Sequence, residues 1–168
     1  PFSATAKSAA EVTAVVRKAV KLPISIKLAP NVPEIGRIAQ AVVSEGADAI
    51  TAINTVPAML IDAYAGKPVL KNAAGGLSGA AIKPVALKAV WEIAQMVRVP
   101  IIGTGGISCG LDAAEMIMAG ATLVGVGSAV ALEGPAVFSL INRELEAFMT
   151  QEGYPDLASM RGKALPQK

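Results

Sequence analysis

Near the start of the chain, Lys27 is the residue whose type and position best suit it to chemistry. It lies on the polar side of an alternating segment whose apolar side is formed by Ile24, Ile26 and Leu28. At the carboxyl end of a parallel strand, its ammonium group would stabilise an anion or a cofactor charge. The alternative is a lysine that reaches past the sheet rim into solvent, and the alternation does not distinguish the two.

Two glycine-containing turns indicate a phosphate site later in the chain. Gly105-Gly106 and Gly127-Ser128 each follow a predicted strand and precede a predicted helix, one βα unit apart. Backbone N–H groups in such turns converge on one anion beside helix N-termini, and barrels often bind phosphate after their last two strands. Tight turns without a ligand are the alternative, and we favour phosphate binding.

Two further segments hold polar or flexible residues. Asn54-Thr55 ends another predicted strand, where an amide and a hydroxyl can fix a small polar ligand or merely begin a turn. The glycine cluster at residues 75–79 allows either close approach of the backbone to a ligand or hinge motion of a lid. Its spacing does not decide between them.

Composition excludes several classes of site. The chain contains no histidine and one cysteine, Cys109, so it cannot build a Ser-His-Asp arrangement, a histidine zinc site, a CxxC metal site or an internal disulfide. We interpret Cys109 as a small packing residue. The net charge of +2 is too small to indicate nucleic-acid binding.

Hydrophobic patterning predicts a protein that does not cross a membrane, and the single cysteine fits a reducing compartment, so we expect a cytoplasmic location. The chain is 53% apolar, but glycines interrupt its longest uncharged run, between Glu115 and Glu133. Residues 1–7 lack the pattern of a signal peptide. Because the chain opens on Pro1, we expect that its natural start lies elsewhere.

Helices and strands are predicted to alternate along the chain. The spacing predicts helices near 9–20, 31–46, 84–97, 110–119 and 135–151, and strands near 23–28, 49–53, 99–103 and 122–126. Ser8 and Glu11 have the spacing of a capping box for the first helix. Residues 56–79 are predicted to form a long functional loop, and residues 153–168 a polar, irregular tail.

This alternation predicts an α/β fold with parallel strands, either a (β/α) barrel or a doubly wound sheet. A closed barrel needs eight strands and about 250 residues. The four predicted strands therefore match half of a (β/α)8 barrel, strands 5–8 with their helices, and residues 1–168 form one partial domain.

Several segments resemble class 1 dihydroorotate dehydrogenases, most closely the NAD-linked type 1B catalytic subunit. They are residues 26–32 (IKLAPNV), 53–55 (INT), 75–79 (GGLSG) with 81–87 (AIKPVAL), and 102–107 (IGTGGI). The resemblance covers nearly the whole chain in order. It implies the C-terminal half of an FMN-binding barrel that oxidises (S)-dihydroorotate to orotate in pyrimidine synthesis.

The resemblance also implies a role for each candidate residue. Lys27 would contact the flavin and stabilise its negative charge, and Asn54 and Thr55 would hydrogen-bond the substrate. The remaining flavin contacts would come from residues that line the ring, Ile53 and Gly79, and from residues that hold the phosphate, Gly105, Gly106, Gly127 and Ser128. No residue is implied as a metal ligand.

The resemblance places the family's cysteine base on a loop that precedes this segment, so Cys109 is not that base. The implied partners are the missing N-terminal half-barrel, a second copy in a homodimer, and an electron-transfer subunit with FAD and an iron–sulfur cluster. The electron acceptor, NAD through that subunit or fumarate, stays open. The alternatives are a flavin barrel that reduces pyrimidines, like dihydropyrimidine dehydrogenase, and a non-catalytic half-barrel that binds phosphate.

Overall fold

A four-stranded parallel sheet forms the centre of the structure, a computed structural model that describes residues 5–166. Its strands are β1 (Ser25–Leu28), β2 (Ala49–Ala52), β7 (Ile101–Thr104) and β8 (Leu123–Gly125), and they lie in that order across the sheet. The prediction of an α/β fold with four parallel strands is confirmed. A doubly wound sheet reverses its strand order at a switch point, and these four strands show no reversal.

Seven helices connect and flank these strands within the described residues. They are α1 (Ala6–Ala19), α2 (Ile35–Ser44), α3 (Lys83–Met96), α4 (Gly110–Met118), α5 (Ser128–Glu133), α6 (Ala136–Glu152) and α7 (Leu157–Met160), with a 3-10 turn at Ala80–Ile82. Five of them lie where the sequence predicts a helix. The short α5 follows β8 directly, and its six residues are too few to show a helical repeat.

One face of the parallel sheet is buried beneath the helices. Ile26, Ile50 and Ile101 are aligned on this face, and Ile50 is fully buried. At Gly103, on the same face, Met116 of α4 packs so closely that no side chain would fit. Apolar residues at alternate strand positions therefore build the core between sheet and helices.

The opposite face of the sheet is left largely exposed by the described residues of the chain. Lys27, Thr51, Ile102 and Leu123 form an aligned row across all four strands on this face. Leu123 is 59% exposed, although it lies within a strand. Parallel sheets are normally covered on both faces, so this arrangement is unusual for a complete domain.

Residues 56–77 form two antiparallel strand pairs, where the sequence predicts a long functional loop and no strands. Strand β3 (Val56–Met59) pairs with β6 (Ala74–Leu77), and β4 (Ile61–Asp62) pairs with β5 (Lys67–Pro68). Proline and glycine at five positions in this segment suggested a loop. The structure accommodates them because the pairs are short and stand apart from the central sheet.

Two predictions about the ends of the chain are also corrected. The cap of α1 is Thr5, whose side chain accepts a hydrogen bond from the Ser8 N–H, rather than a capping box of Ser8 and Glu11. Within residues 153–166 the tail is ordered, because α7 buries Met160 fully and the Trp91 indole donates to the Ala164 carbonyl. The predictions for residues 1–4 and 167–168 lie outside the described residues.

In residues 5–166 the structure contains no helix that is both long enough and apolar enough to cross a membrane.

Candidate functional site

A cavity of about 240 Å³ lies at the carboxyl ends of the four parallel strands. Lys27 of β1 forms one part of its wall, and Ile53 and Thr55 follow β2. The turn after β7 and the turn after β8 complete the opposite side. Because all four strands are parallel, segments far apart in sequence meet at this one edge of the sheet.

The cavity brings together all but one of the candidate residues. Lining it are Lys27, Ile53, Thr55, Gly79, Gly105, Gly106, Gly127 and Ser128. Asn54 is exposed outside the wall, and its backbone N–H donates to the Leu28 carbonyl at 2.9 Å. The structure therefore separates the two neighbours that the resemblance assigns to substrate.

Glycine is required in the turn after β7 because this turn lies against helix α3. Gly106 has a φ of +80°, and a Cβ there would lie 2.8 Å from the backbone nitrogen of Lys83. Gly105 has a φ of +133°, and a Cβ there would lie 2.8 Å from the Cβ of Ala86. Neither position admits a side chain without a shift of the backbone.

The turn after β8 is more open. Gly127 has a φ of −118°, and a Cβ placed on it would meet no atom within 4 Å. Neither a positive φ nor close packing accounts for glycine at this position. The hydroxyl of Ser128 donates to the hydroxyl of Ser78 at 2.9 Å, which links this turn to the glycine cluster at 75–79.

Backbone donors in these turns remain available for a ligand. Among residues 5–166, no acceptor is found for the N–H groups of Gly105, Gly106, Gly127 and Ser128. The N-terminal donors of α4 differ, because Glu144 accepts from Gly110 at 2.7 Å and Asp112 accepts from Ser108 and Cys109. The glycine turns, rather than the start of α4, therefore offer free donors.

Lys27 is the one cation among the described residues that line the cavity, and it has no hydrogen bond or ion pair to any of residues 5–166. Glu133 is the one acid in the wall. An uncompensated ammonium group beside free N–H donors favours an anionic ligand.

Beside the cavity, a group of charged side chains joins α3 to α4. Lys83 donates to Asp112 at 2.6 Å and to Glu115 at 2.7 Å, and these hydrogen bonds raise the pKa of Lys83 well above its ordinary value. Burial disfavours ionisation of Asp112, but hydrogen bonds from Lys83, Ser108 and Cys109 outweigh it and lower the pKa of Asp112 to about 2. Lys83 and Asp112 are therefore both ionised near neutral pH.

Sequence reasoning missed the acid Glu133 and three hydroxyl-bearing residues that line the cavity: Ser78, Thr104 and Ser108. Thr104 had a usable signal, because it shares the strand face of Ile102, and its hydroxyl donates to the Gly125 carbonyl at 2.9 Å. Ser78 was visible only as a member of the glycine cluster at 75–79, and Ser108 only as a residue near the turn after β7. Cys109 does not line the cavity.

The residues present suit a phosphate-bearing organic ligand better than a metal ion. Open space at Gly127, free N–H donors in both turns and the apolar side chain of Ile53 lie on one cavity. No group of three or more metal-binding side chains occurs in the part of the chain that the structure describes. Free N–H donors bind phosphate oxygens, and an apolar wall accommodates a planar ring.

Comparison with known proteins agrees with this geometry. Residues 2–149 match the family model described as dihydroorotate dehydrogenase. The chain is 50% identical over 153 residues to the "Dihydroorotate dehydrogenase B (NAD(+)), catalytic subunit" of Methanosarcina mazei, a match that covers 91% of this chain and 48% of that protein. It is 45% identical over 161 residues to the protein of the same name from Geotalea daltonii, a match that covers 96% of this chain and 52% of that protein.

A third relative with the same name, from Thermococcus kodakarensis, is 43% identical over 150 residues, covering 89% of this chain and 50% of that protein. The chain thus spans about half the length of the curated relatives that it matches.

Proposed function

Since the chain belongs to the dihydroorotate dehydrogenase family, we propose that it is the C-terminal half of an FMN-dependent enzyme that oxidises (S)-dihydroorotate to orotate in pyrimidine synthesis. One observation carries this proposal: residues from four separate strand ends meet in one cavity that combines a free lysine with two glycine turns. The alternation of strands and helices and the length of the relatives support the same assignment.

The uncovered face of the sheet supports the assignment to half of a (β/α)8 barrel. In such a barrel, one face of the strands meets the helices and the other fills the interior with side chains. Lys27, Thr51, Ile102 and Leu123 occupy the position of interior residues. We propose that residues 1–168 contribute strands 5–8, that residues 153–166 of the C-terminal tail pack on the outside, and that another half supplies the remaining strands.

FMN suits the residues of the cavity. We propose that Gly105, Gly106, Gly127 and Ser128 hold its phosphate through backbone N–H groups and a hydroxyl. Ile53 and Gly79 would line its ring system. When bound, FMN supplies the acceptor for the hydride that leaves the substrate.

Lys27 and Thr55 carry the chemistry that this chain itself would supply. The ammonium group of Lys27 lines the cavity and would favour negative charge on the ring, since no described acid is paired with it. The hydroxyl of Thr55 can donate to a carbonyl or carboxylate oxygen of orotate and accept from its ring N–H. Asn54 would join it through a side-chain movement toward the cavity, and the proton-abstracting cysteine would come from the other half.

The partners proposed for the complete protein follow from the family. The relatives are named catalytic subunits of a dihydroorotate dehydrogenase B (NAD(+)). We propose an electron-transfer subunit with FAD and an iron–sulfur cluster, together with a homodimer of the catalytic subunit. A cytoplasmic location goes with this proposal.

The experiment uses the full-length gene product, purified without added flavin. We expect orotate to form from dihydroorotate with an added electron acceptor, and flavin released by heat to be FMN. A protein that binds no flavin, or that reduces uracil while leaving dihydroorotate unchanged, would overturn the proposal.

Replacement of Lys27 tests its role in the same protein. We expect Lys27→Ala to slow reduction of the bound flavin by dihydroorotate about 100-fold, while FMN affinity changes far less, because charge stabilisation acts mainly on the transition state. Lys21→Ala removes an exposed lysine before β1 and serves as the matched control. An unchanged single-turnover rate for Lys27→Ala would remove Lys27 from the mechanism.

A further inference from the structure

One carboxylate, that of Asp112, connects the turn after β7 to helix α3. Its Oδ1 accepts from the Lys83 ammonium at 2.6 Å. Its Oδ2 accepts from the Ser108 N–H at 2.8 Å, from the Ser108 hydroxyl at 2.8 Å and from the Cys109 N–H at 3.2 Å. Asp112 is 7% exposed, so solvent does not replace these bonds readily.

Lys83 holds the turn from the opposite side. Gly106 lies so close to the backbone of Lys83 that a Cβ would come within 2.8 Å of its nitrogen. The Lys83 ammonium then reaches across to Asp112 and to Glu115, at 2.7 Å. The backbone of the turn is thus fixed between the first residue of α3 and the first turn of α4.

None of the three charged residues lines the cavity, whereas the turn that they hold does. Residues 104–108 all form part of the cavity wall, and Lys83, Asp112 and Glu115 do not. Any effect of these charges on a ligand must therefore pass through the position of the turn or through the local electric field.

We propose that Lys83 and Asp112 are positioning residues that fix the turn at 105–108 in the shape that receives the phosphate of the ligand. This inference rests on the proposed function, because the phosphate-bearing ligand is taken from it. Four hydrogen bonds converge on Asp112, so the N–H groups of Gly105 and Gly106 are in position before the ligand binds. Ordering of the turn then does not reduce the free energy of binding.

The experiment compares FMN with riboflavin, which has the same ring system and no phosphate. Apoprotein of the full-length gene product is titrated with each flavin, and the dissociation constants are measured by quenching of flavin fluorescence. We expect Lys83→Met to weaken FMN binding about 10- to 100-fold. Riboflavin affinity should change by no more than about twofold, and it also reports that the variant is folded.

Three further variants make the comparison specific. Lys88→Met removes another lysine of α3, one that pairs with Glu92 on the exposed side of the helix, and it should leave the ratio of the two affinities unchanged. Lys83→Arg keeps a cation in reach of Asp112, so its ratio of FMN affinity to riboflavin affinity should be close to that of the wild type. The double variant Lys83→Met with Asp112→Asn removes the charge imbalance without restoring the bonds, so it should stay weak for FMN.

The outcomes separate this inference from the proposed function. An unchanged ratio in Lys83→Met, an equal loss of both flavins, or full recovery of FMN binding in the double variant would overturn the positioning role while the FMN site stands. A wild-type protein that binds riboflavin as tightly as FMN would overturn the phosphate site itself, and the positioning role with it.

Discussion

The two glycine turns at the cavity are held in different ways. The turn after β7 is fixed by Lys83 on one side and Asp112 on the other, and its glycines pack directly against α3. In the turn after β8, open space surrounds Gly127, and one hydroxyl contact joins Ser128 to Ser78.

This difference indicates that glycine serves the fold in one turn and leaves space for a ligand in the other. Gly106 is needed by the fold, since its φ is positive and its neighbours leave no room. Gly127 is not needed by the fold in that sense, so the space beside it is available to a ligand. The comparison therefore predicts that substitutions in the first turn act on stability, and substitutions in the second act on binding.

The largest effect is expected for Gly106→Ala in the full-length protein. Its Cβ would meet the Lys83 backbone in a conformation that L-residues rarely adopt, which we expect to lower the free energy of unfolding by about 2–4 kcal/mol. Urea unfolding measures this change. A stability equal to that of the wild type would show that the first turn is not held as described.

The charged group at the first turn predicts a dependence of stability on pH. Because the pKa of Asp112 is lowered from 3.8 to about 2, its contribution is present above pH 4 and is lost as the pH falls through 2. Because the pKa of Lys83 is raised from 10.5, its contribution is complete below that pH and is lost only at higher pH. The stability difference between wild type and Asp112→Asn should thus be constant from about pH 5 to 9.

In acid, that difference should shrink by about 1–2 kcal/mol, after allowance for solvent screening. Urea unfolding at a series of pH values measures this difference. Asp156→Asn makes the same substitution in the cap of α7, away from the cavity, and serves as the matched control. A difference that changes instead near neutral pH would contradict the ionisation described for Asp112.

Gly127→Ala should show the opposite behaviour to Gly106→Ala. We expect its stability to stay within about 0.5 kcal/mol of the wild type, because the added methyl group meets no protein atom. FMN affinity should fall about 10-fold, because the methyl group occupies space that the ligand needs. Unfolding and fluorescence titration on the same preparation test both, and a large loss of stability with intact binding would reverse the comparison.

The smallest effect is expected for Ser78→Ala. It removes the exposed hydroxyl that accepts from Ser128, and an exposed hydrogen bond contributes about 0.5–1 kcal/mol. FMN affinity should therefore fall about threefold, as measured by the same titration. A loss as large as that of Gly127→Ala would mean that the glycine cluster at 75–79 takes a greater part in binding than this contact indicates.

The parts of the fold that the sequence predicts well are those with a strong local signal. Alternation in residues 23–28 and the helical repeat of α3 come from neighbours that face one core, and both elements lie within a few residues of the predicted ends. The glycine turns were found because each follows a strand. Their convergence on one cavity follows from the parallel order of the strands.

The missing parts depend on contacts between distant segments. Lys83 and Asp112 are 29 residues apart, and nothing in the sequence near either residue shows that they meet. The strand pairs at 56–77 were hidden because Pro57 and Pro68 normally interrupt strands. The tail was read as irregular because its packing against Trp91 involves a residue 73 positions away.

The most direct test of the central claim is a crystal structure of the full-length gene product with FMN bound. We predict that the phosphate lies within hydrogen-bond distance of the N–H groups of Gly106 and Ser128, with the Lys27 ammonium against the ring system. A phosphate bound elsewhere, or side chains of the other half filling the cavity between these two turns, would contradict it.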